Sequence, residues 1–341
     1  MGPPAPIELE EAQRLVVEGI TPLGIEAVAL RDALGRRLAE RVGPPPAEAS
    51  EDDWEEDEDD WGEDFEDDPE SDAAALYKGA AIGPRELGAL AEAGLTSVPC
   101  HGRPSVVVLT GGEELLEPDG PLRPGAVRNS NAYSIPVLAK VAGARVRVAG
   151  PVPNEPKATR ALIERLLGAD VVVFSGGVSV GEHDHVKRAL TELGVQERFW
   201  GISLDPGGST WFGKRGDTLV LGLPPDPVSA TVAFTLLAQP ALIRLAGGPE
   251  QLQLGMATLG TDYQKRPGPP AAVRCRLTRH HDGLYAYPTE KRDSRLLSSM
   301  FRVDCLALLS APAHLWQAGG WVEVALLDPA WESVRKLPRD W

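Results

Sequence analysis

Three short apolar runs, each ending abruptly in glycine or proline, constrain this chain more than any other feature. They are "VVVLT" before "GGEEL", from Val106; "VVVFS" before "GGVSVGEHDH", from Val171; and "LVLGL" before "PPDPVSA", from Leu219. Runs this short and this continuous fit strands buried on both faces. Between and around them the pattern lengthens to helical spacing. "NAYSIPVLAKVAG" reads as a helix ending on Gly143, "ARVRVAG" as a strand, "KATRALIERLLG" and "DHVKRALTELG" as helices, and "VQERFW" as a further strand. "PVSATVAFTLLAQPALIRLAG" reads as a long closing helix, with a kink expected at Pro240. Strands alternating with helices predict an α/β domain with a largely parallel sheet covered on both faces, placed at 103–247.

The flanking segments differ in texture. Residues 1–46 begin with Ala12, Leu15, Val16 and Gly19 at helical spacing, and "EAVALRDALGRRLAERV" reads as a strand leading into a helix. Residues 47–75 are dominated by an acidic run. Glu51 to Asp72 holds 16 of the 50 acidic residues and no Lys or Arg, which leaves 34 acidic against 34 basic elsewhere. The net charge of -16 is therefore one segment, expected to be a disordered linker because it has too little apolar surface to offset its ordering entropy. Trp54, Trp61 and Phe65 within it leave a partner-docking motif open as a second reading. Residues 76–102 return to the N-terminal region, and 248–341 carry short strands ("AAVRCRLTR", "GLYAYPT", "DCLALLSA", "WVEVALL") that predict a small β domain. A near-neutral folded part argues against a nucleic-acid-binding face. Cys100, Cys275 and Cys305 are too few and too dispersed for a disulfide framework or a zinc site, which points to a reducing cytoplasm. The N-terminus does not read as a signal peptide, and no run is expected to reach the roughly 18 apolar residues of a membrane span.

In a parallel sheet the carboxyl ends of the strands share one edge, so the three loops should lie side by side, where open α/β folds bind ligands. Gly111, Gly112, Gly176 and Gly177 would let backbone N–H groups approach an anion, and Thr110, Ser175 and Ser179 add hydroxyls. Asp226 reads as a helix N-cap and Pro227 as the first helical residue, aiming free N–H groups into the same crevice. Phosphate is the expected anion. Glu113, Glu114, Glu182 and Asp184 beside it call for a divalent cation, since Mg²⁺ is commonly held by one or two carboxylates plus phosphate oxygens. Each piece keeps a plainer reading: the glycine pairs as tight turns, His183 and His185 as solvated loop residues, Asp226 as a cap only, and Trp200 and Trp211 as core.

These loops resemble the molybdopterin molybdenumtransferase family, MoeA and the gephyrin E domain. "ALGRRLAERV" is similar to that family's "ALGRxLAEDV", "TGGEEL" to "TGDEL", and "LRPGAVRNSNAYSI" to its "G-x-I-x-[DN]-[ST]-N" loop. "SGGVSVGEHDHVK" is similar to "SGGVSVGDxDYVK", "GLPPDPVSA" to "GLPGNPVSA", and "RDSRLLSSM" to "QGSGxLxSM". The resemblance implies a three-layer α/β/α molybdopterin-binding domain, an N-terminal helical and extended region and a C-terminal small β-barrel, in a homodimer. It implies insertion of molybdate into adenylylated molybdopterin with release of AMP, dependent on Mg²⁺, in the cytoplasm and without nucleic acid or membrane. Carried over by position, Glu114 and Asp184 are the catalytic and metal-binding residues. Thr110, Gly111, Ser130, Asn131, Ser175, Gly176, Gly177, Ser179, Gly181, Pro224, Pro227, Ser229 and Ser294 bind substrate. A molybdopterin adenylyltransferase and molybdoenzymes are the implied further partners.

The departures are chemically one-sided. The family's "SAMDGYA" segment is absent, with the acidic run in its place. The lysines of its "K-PGK-P" segment are Asp205 and Gly208 in "DPGGST", "TGGEEL" carries one extra residue so that Glu113 replaces the family's Asp, and "PGN" has become "PPD". Cations are lost and carboxylates gained, with Lys187, Lys214 and Arg215 as candidate replacements. Two alternatives to the transferase therefore stand: a non-catalytic molybdopterin-binding or interaction protein, and an adenylyltransferase-like activity. Deleting residues 51–72 is expected to leave the thermal midpoint of unfolding nearly unchanged; a drop of several degrees would show that the acidic run is part of the folded structure.

Overall fold

The computed structural model describes residues 5–42, 76–112, 114–153, 155–176, 185–249, 252, 254–265, 267–289, 296–311 and 315–327. The acidic linker expected at 47–75 lies outside the described residues. Internal contacts divide the chain into two units: Met1–Thr21, Pro104–Arg244 and Pro249–Trp341 form one, and Pro22–Arg103 with Leu245–Gly248 the other.

Helix α1 (Leu9–Val17) belongs to the first unit and buries Leu9, Ala12 and Val16 along one face, as its spacing predicts. The second unit carries β1 (Ile25–Ala29), α2 (Pro84–Glu92) and β2 (Ser97–His101), with β1 and β2 antiparallel. The helix expected after β1 does not form. Beyond a single 3-10 turn, Leu38 and Val42 bridge to Cys100 and Leu76, and Gly35 and Leu38 donate backbone N–H groups to Ile82 and Ala80. Tertiary backbone pairing has replaced helical pairing there, over a core of Val28, Ala33, Leu38, Ile82, Leu90, Val98 and Cys100.

The first unit resumes with β3 (Ser105–Thr110), α3 (Asn131–Val141), β4 (Arg145–Pro151), α4 (Pro156–Leu166), β5 (Val171–Ser175) and α5 (His185–Glu192). Strands β6 (Gln196–Trp200), β7 (Trp211–Arg215) and β8 (Thr218–Leu223) complete a six-stranded sheet of order β4-β3-β5-β8-β7-β6. The four strands β4, β3, β5 and β8 are parallel; β7, which the sequence pattern does not announce, runs antiparallel to both β8 and β6. Because successive side chains of β3 and β5 face opposite ways, Val107, Leu109, Val172 and Phe174 pack with Ile163, Leu166, Val186 and Leu190 of α4 and α5. Helices α3 and α6 (Pro227–Leu245) pack together on the sheet as well. Burial of both sheet faces is why these strands are apolar without alternation.

Helix α6 departs from regularity ahead of Pro240: Phe234–Ala238 form a π-turn between the α-helical segments Pro227–Ala233 and Gln239–Leu245. Proline has no N–H for the carbonyl four residues back and its ring crowds that carbonyl, and the wider turn relieves both. Contrary to the membrane expectation, α6 is by length and composition apolar enough to cross a bilayer; 78% of its apolar window is buried inside the protein, which makes it a core helix.

The C-terminal strands β9 (Gly255–Leu259), β10 (Ala271–His280), β11 (Gly283–Pro288), β12 (Cys305–Leu309) and β13 (Trp321–Leu326) close a barrel in the order β9-β11-β10-β12-β13. β9 is the strand the sequence reading omits, and it supplies the closure by pairing with both β11 and β13.

The parallel strands β3 and β5 start from a shared tie. Asp170 Oδ2 accepts the Ser105 backbone N–H at 2.7 Å and its hydroxyl at 2.6 Å, while Ser105 Oγ accepts the Asp170 N–H at 3.0 Å. Asp170→Ala removes two bonds to a carboxylate and is expected to cost about 2 kcal/mol in urea unfolding; an unchanged midpoint would show that strand packing alone holds this corner.

Candidate functional site

The register of the parallel sheet brings the three loops together. Thr110 of β3 and Leu223 of β8 are both Cα partners of Ser175, so the three strands end level. Gly111 N–H donates to Ser175 O at 3.2 Å, and Gly176 N–H points at Leu223 O at 3.4 Å, continuing the ladder one residue past the strands. Gly176 has φ of 75°, and a Cβ there would lie 2.6 Å from Gly111 O, so only glycine lets the first two loops approach this closely. These contacts also correct an expectation. The N–H groups of Gly111 and Gly176 are committed to carbonyls and are not free for an anion.

The same strand ends carry two hydroxyls. Thr110 and Ser175 are both buried, and each hydroxyl oxygen accepts an amide N–H: Asn129 Nδ2 to Thr110 Oγ1 at 2.9 Å, and Asn131 Nδ2 to Ser175 Oγ at 2.7 Å. Used as acceptors, both hydroxyls keep their own hydrogens for a further partner. Asn131 Nδ2 also donates to Pro225 O at 2.9 Å, tying the third loop to the second, and its Oδ1 is buried without a partner among the described residues. Asn129 was not among the residues singled out from sequence; its signal is the i, i+2 asparagine pair in "RNSNAY" at the start of α3. Ser130 between them is half-buried, makes no cap bond, and lines an apolar groove of about 620 Å³ with Tyr133, Val137 and Leu138.

Glu114 is exposed at the rim, its carboxylate so close to Gly112 that a Cβ there would meet it at 2.5 to 2.7 Å. Among the described residues no group of three acidic, histidine or cysteine side chains is gathered to hold a metal. Gly177, Ser179, Gly181, Asp184 and Ser294, together with Glu113, Glu182 and His183, lie outside the described residues.

The third loop is more negative than a helix terminus left open to a ligand. Pro227 opens α6 and Asp226 caps it, accepting Ser229 N–H at 2.9 Å, so the carboxylate itself takes the N–H group expected to face the crevice. Pro224 is buried behind it. Two of the candidate replacement cations, Lys187 and Lys214, have partners of their own. Lys187 pairs with Glu197 at 2.8 Å, and Lys214 donates to Glu18 O at 2.8 Å from the end of β7 that pairs with the start of β8. Burial pushes Glu197 up, but the bonds from Lys187 and from Trp211 Nε1 outweigh it and hold the carboxyl below its ordinary value. Arg215 pairs with Thr218 at that same far end. Asp205 is joined to the barrel through its backbone, its N–H donating to Pro270 O and its carbonyl accepting from Ala272. At Gly208 a Cβ would sit 3.0 Å from Leu204 O and 3.2 Å from Ile202 O, leaving little room for any side chain. Trp211 is core and Trp200 packs against it.

Asn131→Ala strands Ser175 Oγ and Pro225 O without their donor and is expected to cost about 2 kcal/mol. Asn131→Asp should cost at least as much, because a carboxylate oxygen then faces the Pro225 carbonyl; thermal melts of both variants that match the parent would dismiss the asparagine as an anchor.

Two family models match: "Probable molybdopterin binding domain" over residues 107–244 and "MoeA C-terminal region (domain IV)" over residues 256–327. The molybdopterin molybdenumtransferase of Haemophilus influenzae is 39% identical over 173 residues, 50% of this chain and 43% of that protein. That of Bacillus subtilis is 30% identical over 265 residues, 76% of this chain and 61% of that protein. The chain thus spans about half the length of the relatives it matches. A solved molybdopterin biosynthesis moea protein from Pyrococcus horikosii superposes with a TM-score of 0.71 at 22% identity, covering 95% of this chain and all of that one, which establishes the shared fold. With both family models matched in order and the α/β domain followed by the closed barrel, the chain belongs to the MoeA family.

Proposed function

We propose that this chain acts in molybdenum cofactor biosynthesis as a molybdopterin molybdenumtransferase, binding adenylylated molybdopterin at the carboxyl edge of the β4-β3-β5-β8 strands. The observation that carries this reading is the pair of buried hydroxyls, Thr110 and Ser175, level across two strands and each oriented by an asparagine amide. Donors held this way meet phosphate oxygens without reorganising. Gly176 keeps the floor narrow, and Asn131 holds the Pro225 loop against it.

Mg²⁺ fits Glu114, an exposed carboxylate at the rim that can share a hard cation with phosphate oxygens; Asp184 is proposed as its companion. Bound there, the cation would neutralise charge on the phosphate bridge as AMP leaves. Molybdate is the substrate proposed for the same crevice. A homodimer is supported by the apolar stripe of Tyr133, Val137 and Val141, exposed at four-residue spacing along α3. A cytoplasmic location is supported by three free, buried cysteines.

A second reading, a molybdopterin-binding protein without turnover, is favoured by the charge balance. Lys187 is paired with Glu197, Lys214 bonds Glu18 O at the far end of the strands, Gly208 has little room for a side chain, and Asp226 caps the helix terminus. Calorimetric titration with adenylylated molybdopterin and Mg²⁺, followed by molybdate with AMP measured in the same sample, separates the two. Molybdate-stimulated AMP release, reduced at least tenfold in Ser175→Ala, is the expected outcome. Binding without release would establish the second reading, and absence of binding would dispose of both.

A further inference from the structure

The outer wall of the barrel carries a second constellation, remote in sequence from the crevice loops. Along β10, Val273, Cys275 and Leu277 point into the barrel core, so Arg274, Arg276 and Thr278 point outward. On β11, Ala286 is core and Tyr285 and Tyr287 face outward, directly opposite Thr278 and Arg276. The two tyrosine rings stack with centroids 6.4 Å apart and planes 24° apart. His280 sits edge-on to Tyr285 at 4.7 Å, with Nε2 3.0 Å from Tyr287 Oη. The three rings form a fixed aromatic row.

At the Tyr287 end of that row, Arg276, Arg302 and Asp304 line a pocket of about 530 Å³, ample for a ligand of mononucleotide size. Among the described residues neither Arg276 nor Arg302 has a hydrogen bond or an ion pair. Arg302 is the one described non-glycine residue with positive φ, at 66°. Arginine gains nothing from that left-handed backbone, and such conformations gather where a side chain must be presented to a ligand. The third lining residue, Asp304, forms no ion pair with either arginine: its Oδ2 turns to the strand and accepts Leu277 N–H at 2.8 Å, so two guanidinium groups face one carboxylate. Two unpaired guanidinium groups offer paired donors that match a phosphate dianion, and a row of rings beside them offers a face to stack on.

We propose that this wall binds a phosphate monoester bearing a planar heteroaromatic ring, with the phosphate held between Arg276 and Arg302 and the ring laid on the Tyr285, Tyr287 and His280 row. The site is independent of the crevice reading, and its residues belong to none of the crevice loops. The test is calorimetric titration of the full chain with AMP, ribose 5-phosphate, adenosine and inorganic phosphate. AMP should bind more tightly than ribose 5-phosphate or inorganic phosphate, with adenosine weakest. Arg276→Gln and Arg302→Gln should each weaken AMP at least tenfold, and Tyr285→Leu should erase the advantage of AMP over ribose 5-phosphate. Arg302→Gly guards against misfolding, since glycine suits the left-handed backbone: its melting temperature should equal or exceed the parent's while AMP affinity falls. The proposal is overturned if AMP does not bind, if both arginine variants bind it as the parent does, or if AMP and ribose 5-phosphate bind equally. AMP held equally by the parent and both variants would place it in the crevice, leaving the transferase reading intact.

Discussion

Two asparagine amides hold the sheet edge together. Asn129 and Asn131 flank the start of α3, reach across to the ends of β3 and β5, and satisfy buried hydroxyls that apolar neighbours could not. A buried hydroxyl left without a partner is costly, so the first turn of α3 cannot shift without exposing that cost on two strands at once. The helix, the strand ends and the Pro225 loop therefore behave as one rigid corner. Whatever binds at this edge meets groups already in place, and the ordering cost is met during folding rather than on binding.

Around that corner, charge has been redistributed. The chain places the carboxylates of Glu114 and Asp226 at the loops, while Lys187 pairs with Glu197 and Lys214 bonds Glu18 O. The Asp226 cap shows how such a change can be structurally neutral: a carboxylate at a helix terminus stabilises the helix while removing an attractive position for a ligand anion. Fold stability and substrate attraction are separate demands on the same residue. Hydrogen bonding from oriented hydroxyls is compatible with both.

Much of this was legible in the sequence because burial on both faces writes itself into composition. The runs at Val106, Val171 and Leu219 had to be central parallel strands, and their shared edge followed from the sheet type alone. What was hidden depends on partners distant in sequence. β7 is "WFGKR", whose pairing with β6 and β8 no local pattern reveals, and the segment after β1 has helical composition but exchanges its hydrogen bonds with residues 76 to 82 and 99 to 101. The same limit applied at the site. Thr110 and Ser175 stood out by ending strands, whereas Asn129 matters only because the fold carries it to Thr110. Glycine permits free N–H groups, but hydrogen-bond commitment is a property of the assembled edge.

The π-turn in α6 carries a consequence for how the two halves of that helix relate. One extra residue in a turn offsets everything after it by about 100° around the helix axis. The segment Pro227–Ala233, which begins at the third loop, and the segment Gln239–Leu245, which closes the domain, are therefore set in different rotational phase. The faces each half presents can be chosen separately, although the chain between them is continuous and buried throughout. Pro240 thus acts as a clutch within a single helix, letting the end at the third loop and the packing end answer to different geometries.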